Sequence, residues 1–283
     1  MFNRTENRAK RLDKSLLCVL LILTFAVLGC SGVFDAIKSR TSNTEGNQAE
    51  PDASEVPVSG NRLATVGPDS PCFHKYYPID TKTVRKYAVF NAPNSEVDDK
   101  TEPSATYEFR QSYDGGKTFG EENKFSTGIT LTTTWECMPD GLKSNQFLAE
   151  LKKEGTPFDV KVVSSSGVYF PNDEWTVGKE WDYEINVLMT NRGAPDSQGI
   201  KTKISYHVEV LSLDDEVTVP GGDFTAAKLA VDTEFTLEYP GGRKTNTNLK
   251  SSIWYSDEVG LVKISQTGFT DQTVLYLGVE DEA

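Results

Sequence analysis

Alternation of large apolar and polar residues is the feature that most restricts how this 283-residue chain can fold. Trp181, Tyr183, Ile185 and Val187 oppose Asp182, Glu184 and Asn186. Tyr107, Phe109 and Tyr113 oppose Glu108, Arg110 and Ser112. Ala227, Leu229, Val231, Phe235 and Leu237 share one face, with Lys228, Asp232, Glu234 and Glu238 on the other. A period of two sends successive side chains to opposite faces of a strand. Repeated in several segments, it predicts half-buried antiparallel strands and an all-β chain.

Turn residues separate these segments: "YDGG" at 113–116, "MPDG" at 138–141, "VPGG" at 219–222 and "YPGG" at 239–242. Only "NQFLAELKKEG" at 145–155 has helical composition, with Gly155 as its stop. The first turn belongs to a longer pattern. Ser112, Asp114, Gly116, Thr118 and Phe119 spell S-x-D-x-G-x-T-aromatic, which resembles the Asp-box hairpin of sialidase propellers. A propeller needs about four to eight blades, and one box does not supply them. The stretch is therefore expected to be a structural turn.

The N-terminus is a different kind of sequence. Arg4, Arg8, Lys10, Arg11 and Lys14 precede an apolar run from Leu16 to Leu28, followed by Gly29 and Cys30. That run is shorter than the ~20 residues needed to cross a bilayer and has the form of a secretory signal. "VLGC" at 27–30 resembles the bacterial lipobox, with Val where Leu is usual. The resemblance implies a signal peptide at 1–29, lipid attachment at Cys30 and anchoring to the bacterial cell membrane. Ser31 follows the cysteine, which implies the outer membrane if the organism has one. Residues 30–70 are rich in Ser, Asn, Gly, Pro and Glu and are expected to form a flexible tether. Without residues 1–30, 24 basic residues face 40 acidic ones, a net charge of −16. So acidic a domain is a poor match for nucleic acid.

An internal repeat organises the remainder. "YYPIDTKTVRKYAV" (76–89) parallels "YFPNDEWTVGKEWDYEI" (169–185), and "TTTWECMPDGLK" (132–143) parallels "SSIWYSDEVGLVK" (251–263). Trp135 precedes Gly141, and Trp254 precedes Gly260, at one spacing, and both motifs recur in the same order. Two related β halves are expected, at 71–157 and 158–283. The motif order, together with "VTVPGGDFTAAKL" (217–229), resembles the TapB-like domains of unknown function found in bacterial lipoproteins. That group looks akin to the lipoprotein-carrier (Lol-type) half-barrel. The resemblance implies an antiparallel curved sheet or open half-barrel around an apolar cavity, and it brings no catalytic residues.

Candidate chemistry is sparse. His207 falls in phase with Lys203, Ser205 and Glu209 on a polar face; His74 stands just before Tyr76-Tyr77-Pro78. No nucleophile elbow, zinc helix, phosphate loop or nucleotide fingerprint occurs. Asp98-Asp99 and Asp214-Asp215-Glu216 lack the alternating ligand spacing of a calcium loop and are expected in solvated turns. No metal or cofactor is called for. Trp135, Trp181 and Trp254 are candidates for an apolar cavity wall, against the alternative of core packing. Cys72 and Cys137 remain once Cys18 and Cys30 are assigned to signal and anchor, and an exported domain permits a bond between them. Each lies on one of the two shared motifs of the first half; Ser165 and Ser256 hold the matching places in the second. The sequence thus predicts a Cys72–Cys137 disulfide. The function expected is non-enzymatic: a membrane-anchored envelope lipoprotein that binds an apolar ligand or a protein partner. The alternatives are an assembly module with a filled core and, last, a hydrolase.

Overall fold

A computed structural model describes residues 66–144, 150–152, 158–191, 193, 195–268 and 270–281. The signal peptide, Cys30 and most of the tether lie outside the described residues. Fourteen strands form one antiparallel curved sheet that does not close into a barrel. The first five are a meander: β1 (Thr83–Phe90), β2 (Ala105–Tyr113), β3 (Thr118–Phe125), β4 (Thr130–Met138) and β5 (Gly141–Ser144). A second meander follows in β9 (Glu180–Asn191), β10 (Ile200–Val219), β11 (Gly222–Glu238), β12 (Lys244–Ser256) and β13 (Gly260–Gly268). The short strands β6 (Glu150–Lys152) and β8 (Phe170–Pro171) pair with β4 and β5. Two further strands join the meanders: β7 (Phe158–Ser166) pairs with β9, and β14 (Gln272–Asp281) pairs with β13 and β1.

The paired motifs hold corresponding places in the two meanders. Both "aromatic-Pro" motifs enter the first strand of a meander, and both W-x₅-G-L motifs make its last hairpin. In each case the chain leaves the meander and supplies a strand to the start of the other one. The halves differ at one seam. β14 pairs directly with β13, whereas β5 meets the two-residue β8 and reaches β7 through a side chain, Lys143 Nζ donating to Ser165 O at 3.4 Å. Tyr183 of β9 also donates to Ser144 O at 2.8 Å. Side chains span the gap where the second half uses a ladder.

The alternating residues face as expected. Tyr183, Ile185, Val187, Leu229, Val231, Phe235 and Leu237 are buried, while Asp182, Asp232, Glu234 and His207 are exposed. Three local readings need correction. Residues 150–152, within the stretch of helical composition, pair with Thr130–Thr132 as β6; pairing with a long neighbour overrides local propensity. The rest of that stretch, 145–149 and 153–155, lies outside the described residues. Among the described residues the only helical turns are 3₁₀, at Asn94–Glu96 and Asp196–Gln198. Asp214-Asp215-Glu216 is not a turn. It lies inside β10, where the register slips between Val210 and Ser212 and again before Asp215. Such bulges bend a strand. Here they fold the long β10–β11 hairpin so that its tip, Gly221, donates its N–H to Tyr276 O at 3.0 Å. Finally, the end of the proposed tether is fixed to the domain: Val66 N–H donates to Ile79 O at 3.1 Å, and Ser70 bonds Tyr113 at 2.9 Å.

Candidate functional site

Among the described residues, aromatic rings pack against one another on the buried face of the sheet. Trp135 of β4 is 7% exposed and packs on Phe119, Tyr77, Phe170 and Tyr169 at centroid distances of 5.9, 5.6, 6.0 and 5.6 Å. Edge-to-face and offset contacts of this kind stabilise a core beyond the area they bury. Within these rings lies a polar group that the sequence reading missed. Glu121, in phase with the inward Phe119 and Phe125, is 8% exposed and accepts a hydrogen bond from the Tyr77 hydroxyl. Burial pushes its carboxyl above the usual range, while Tyr77, Trp135 and the Arg85 charge oppose the shift. Buried Arg85 donates to Gln111 Oε1 at 2.7 Å and to Pro78 O at 2.9 Å. Burying a charge without partners is costly, and this network supplies them. The signal was present: Glu121 occupies an inward position of a strand whose neighbours are aromatic.

The three tryptophans named for a cavity wall do not converge. Trp135 points into the core. Trp181 is half-buried, donates to Tyr169 O at 3.1 Å and lies 5.2 Å from Trp175. Trp254, itself only 8% exposed, is on the opposite face of its strand from Ile253 and Tyr255. Its indole donates to Asp215 Oδ2 at 2.6 Å, and Lys228 and Lys263 lie 5.0 and 5.2 Å from its ring. The cause is a register slip. Trp135 pairs with Ser144, but in the second hairpin the ladder skips a residue between Trp254 and Tyr255. One residue of slip exchanges the faces, so equal spacing to glycine hides opposite orientations.

Cys72 and Cys137 are bonded, with Cα atoms 4.9 Å apart. The matching serines sit in β7 and β12, which are not neighbours in the sheet. The bridge pins the entry segment against the end of β4. Next to it the Asp-box makes the β2–β3 turn, with Gly116 N–H donating to Asp114 Oδ1 at 3.0 Å and Gly115 at φ +89°. Its roles are those of a turn. Gly141, just past the bridge, allows a close approach: a Cβ there would meet Phe170 O at 2.1 Å.

Around the disulfide lies a groove of about 740 Å³. The first half supplies Phe73, Tyr76, Met138 and Lys117 to its walls; the second supplies Trp175 and Leu213. Phe73 and Met138 are among the few exposed large apolar side chains, at 39% and 37%. His74 lines this groove and a smaller pocket of about 160 Å³. Its Nε2–H donates to Pro171 O at 3.2 Å, an oxygen that also accepts from Trp175 Nε1 at 3.1 Å. Because a carbonyl only accepts, the other ring nitrogen carries the free lone pair. That atom, Nδ1, is buried without a partner. Burial pulls the His74 pKa down to about 4.

His207 is elsewhere, on the exposed face. It lies in a groove of about 470 Å³ crossing β9 to β12, with Nδ1 2.9 Å from Asp182. The Asp182 bond raises its pKa. Both partners are exposed. Among the described residues, no cluster of three His, Cys, Asp or Glu has the geometry to hold a metal ion.

The sequence matches no family model. No curated protein is detectably similar to it. Two solved structures resemble the fold. One, described as a candidate lipoprotein from Parabacteroides distasonis ATCC 8503, has a TM-score of 0.46 at 14% identity, covering 72% of this chain and 98% of its own. The other, described as a candidate exported protein with a YmcC-like fold from Bacteroides fragilis NCTC 9343, has a TM-score of 0.46 at 13% identity, covering 73% and 99%.

Proposed function

We propose that this chain is a lipid-anchored protein of the bacterial cell envelope that acts by binding rather than by catalysis. The lipobox at Cys30 and the polar segment after it support the anchor. A TapB-like domain remains the reading of the motif order, and its carrier-like relation remains part of the proposal. One observation carries the binding reading: the 740 Å³ groove is within the range of small-molecule sites and joins apolar walls to a few polar groups. The ligand is an apolar molecule, or the apolar part of a protein partner, and it is not held among the core aromatics. The packing around Trp135 favours a second reading, an assembly module with a filled core and no small ligand.

Two measurements test this. Labelled fatty acid should enter the wild-type chain and not Cys30→Ala; label in both, or in neither, contradicts the anchor. Native mass spectrometry of the chain purified from its own host should then find a retained small molecule. A bare chain that copurifies with a protein partner supports the second reading.

A further inference from the structure

Three observations meet in the groove beside the disulfide. The first is its apolar wall, where Phe73 and Met138 remain exposed and Tyr76, Trp175 and Leu213 complete the surface. Both halves supply its walls: the Cys72–Cys137 bond braces the first-half wall, and Asn172 N–H of the second half donates to Asp140 O of the first at 3.0 Å. A braced junction between repeats loses little order when a ligand enters, so more of the contact energy appears as affinity.

The second is its charge. Lys75 and Lys117 line the groove with Asp173 and Glu174. Asp173 is already paired with Lys179 at 2.7 Å, which leaves Lys75 and Lys117 against Glu174, a net lining charge of +1. The chain after residue 30 carries −16. Within so acidic a protein, the groove is a local site for a negative group.

The third is His74, 6% exposed, in the wall, with its Nδ1 acceptor unpaired. A buried acceptor without a partner costs free energy, and a hydroxyl of a bound molecule would supply the missing donor.

We propose that this groove binds a single-chain lipid whose head group carries both a negative charge and a hydroxyl. This inference rests on the binding reading above and names its site and ligand class. The acyl chain lies against Phe73, Met138, Trp175 and Leu213. The anionic head meets Lys117 and Lys75, and the head-group hydroxyl donates to His74 Nδ1. The neutral ring at ordinary pH keeps that acceptor available.

The test uses the whole exported chain carrying C30A, titrated calorimetrically with myristoyl-lysophosphatidylglycerol below its micelle concentration. One-to-one, saturable binding is expected. Met138→Glu should weaken it about tenfold, whereas Val163→Glu, an exposed valine outside the groove, should leave it unchanged. Lys117→Glu should weaken the anionic lipid several-fold and leave neutral monomyristoylglycerol unaffected. No saturable heat, or equal losses for M138E and V163E, would overturn the site. Equal losses for the two lipids on K117E would overturn the head-group assignment. If the M138E chain still retained lipid in native mass spectra, this groove would be wrong while the binding reading stood. If the wild-type chain carried neither lipid nor partner, both would fall.

Discussion

The last hairpins of the two meanders share a spacing and differ in what it achieves. In β4–β5, Trp135 enters the aromatic interior, and the strand end is bonded through Cys137 to the entry segment. In β12–β13, the equivalent Trp254 is as deeply covered but lies on the other face of the sheet, beneath two lysines and Asp215, and Ser256 stands where the first half has cysteine. One skipped residue in a ladder separates the two outcomes. A repeat can thus keep its topology while one half specialises in packing and covalent bracing and the other in a charged surface.

The tryptophans give the largest expected contrast. Trp135→Ala removes a buried ring from contacts on several sides and should cost about 3–5 kcal/mol in denaturant unfolding. Trp254→Ala removes a ring that is just as covered, at 8% exposed, but whose partners are an Asp215 hydrogen bond and two lysines that reach water once it is gone; it should cost less, about 2–3 kcal/mol. Equal losses would mean that the two rings do equivalent work.

Next is the bridge. Replacing Cys72 and Cys137 together by alanine opens a loop of 65 residues and should cost about 4 kcal/mol on the chain-entropy account. Replacing Ser165 and Ser256 in the same way should have far less effect on the unfolding midpoint. A small loss for the cysteine pair would show that the entry segment is held by its hydrogen bonds alone.

A smaller effect distinguishes the two histidines. His74 is held at about 4 in the folded protein, below its ordinary 6.5, by burial. The unfolded chain therefore takes up the proton first as pH falls. The stability contributed by neutral His74 is complete above about 6.5 and is lost as pH falls towards 4, reaching about 3 kcal/mol. His74→Gln should flatten the unfolding free energy across that window. His207 is raised through Asp182, so its smaller contribution has the opposite sign and is lost as pH rises. Removing it should leave the acid-side slope in place.

Much of the fold was legible because period two survives along most of the length of the long strands. The inward sets on β9 and β11 follow directly from the alternation of Tyr183 to Val187 and Ala227 to Leu237. The Cys72–Cys137 pairing was legible from the entry and exit motifs on which both cysteines stand, whereas the matching serines, expected to be similarly close, lie on strands that are not neighbours. What failed depended on one-residue events. Nothing in "SSIWYSDEVGLVK" marks the slip after Trp254, yet with that slip Trp254 is buried on the face of the sheet away from the aromatic core. Likewise, charge alone put Asp214-Asp215-Glu216 in a turn, although bulges can hold such a run within a strand. Glu121 could have been found from its phase. The groove could not, because its walls come from the two entry segments, the end of β4 and a residue of β10, which only the folded sheet brings together.

The central claim is that the interior is a filled aromatic core and that the apolar binding surface lies at the disulfide groove. Xenon enters apolar voids without needing a polar partner, so a crystal held under xenon pressure addresses both parts at once. The account predicts xenon between Phe73 and Met138 and none among Tyr77, Trp135 and Phe170. Xenon bound among those three rings, with the groove left empty, would contradict it.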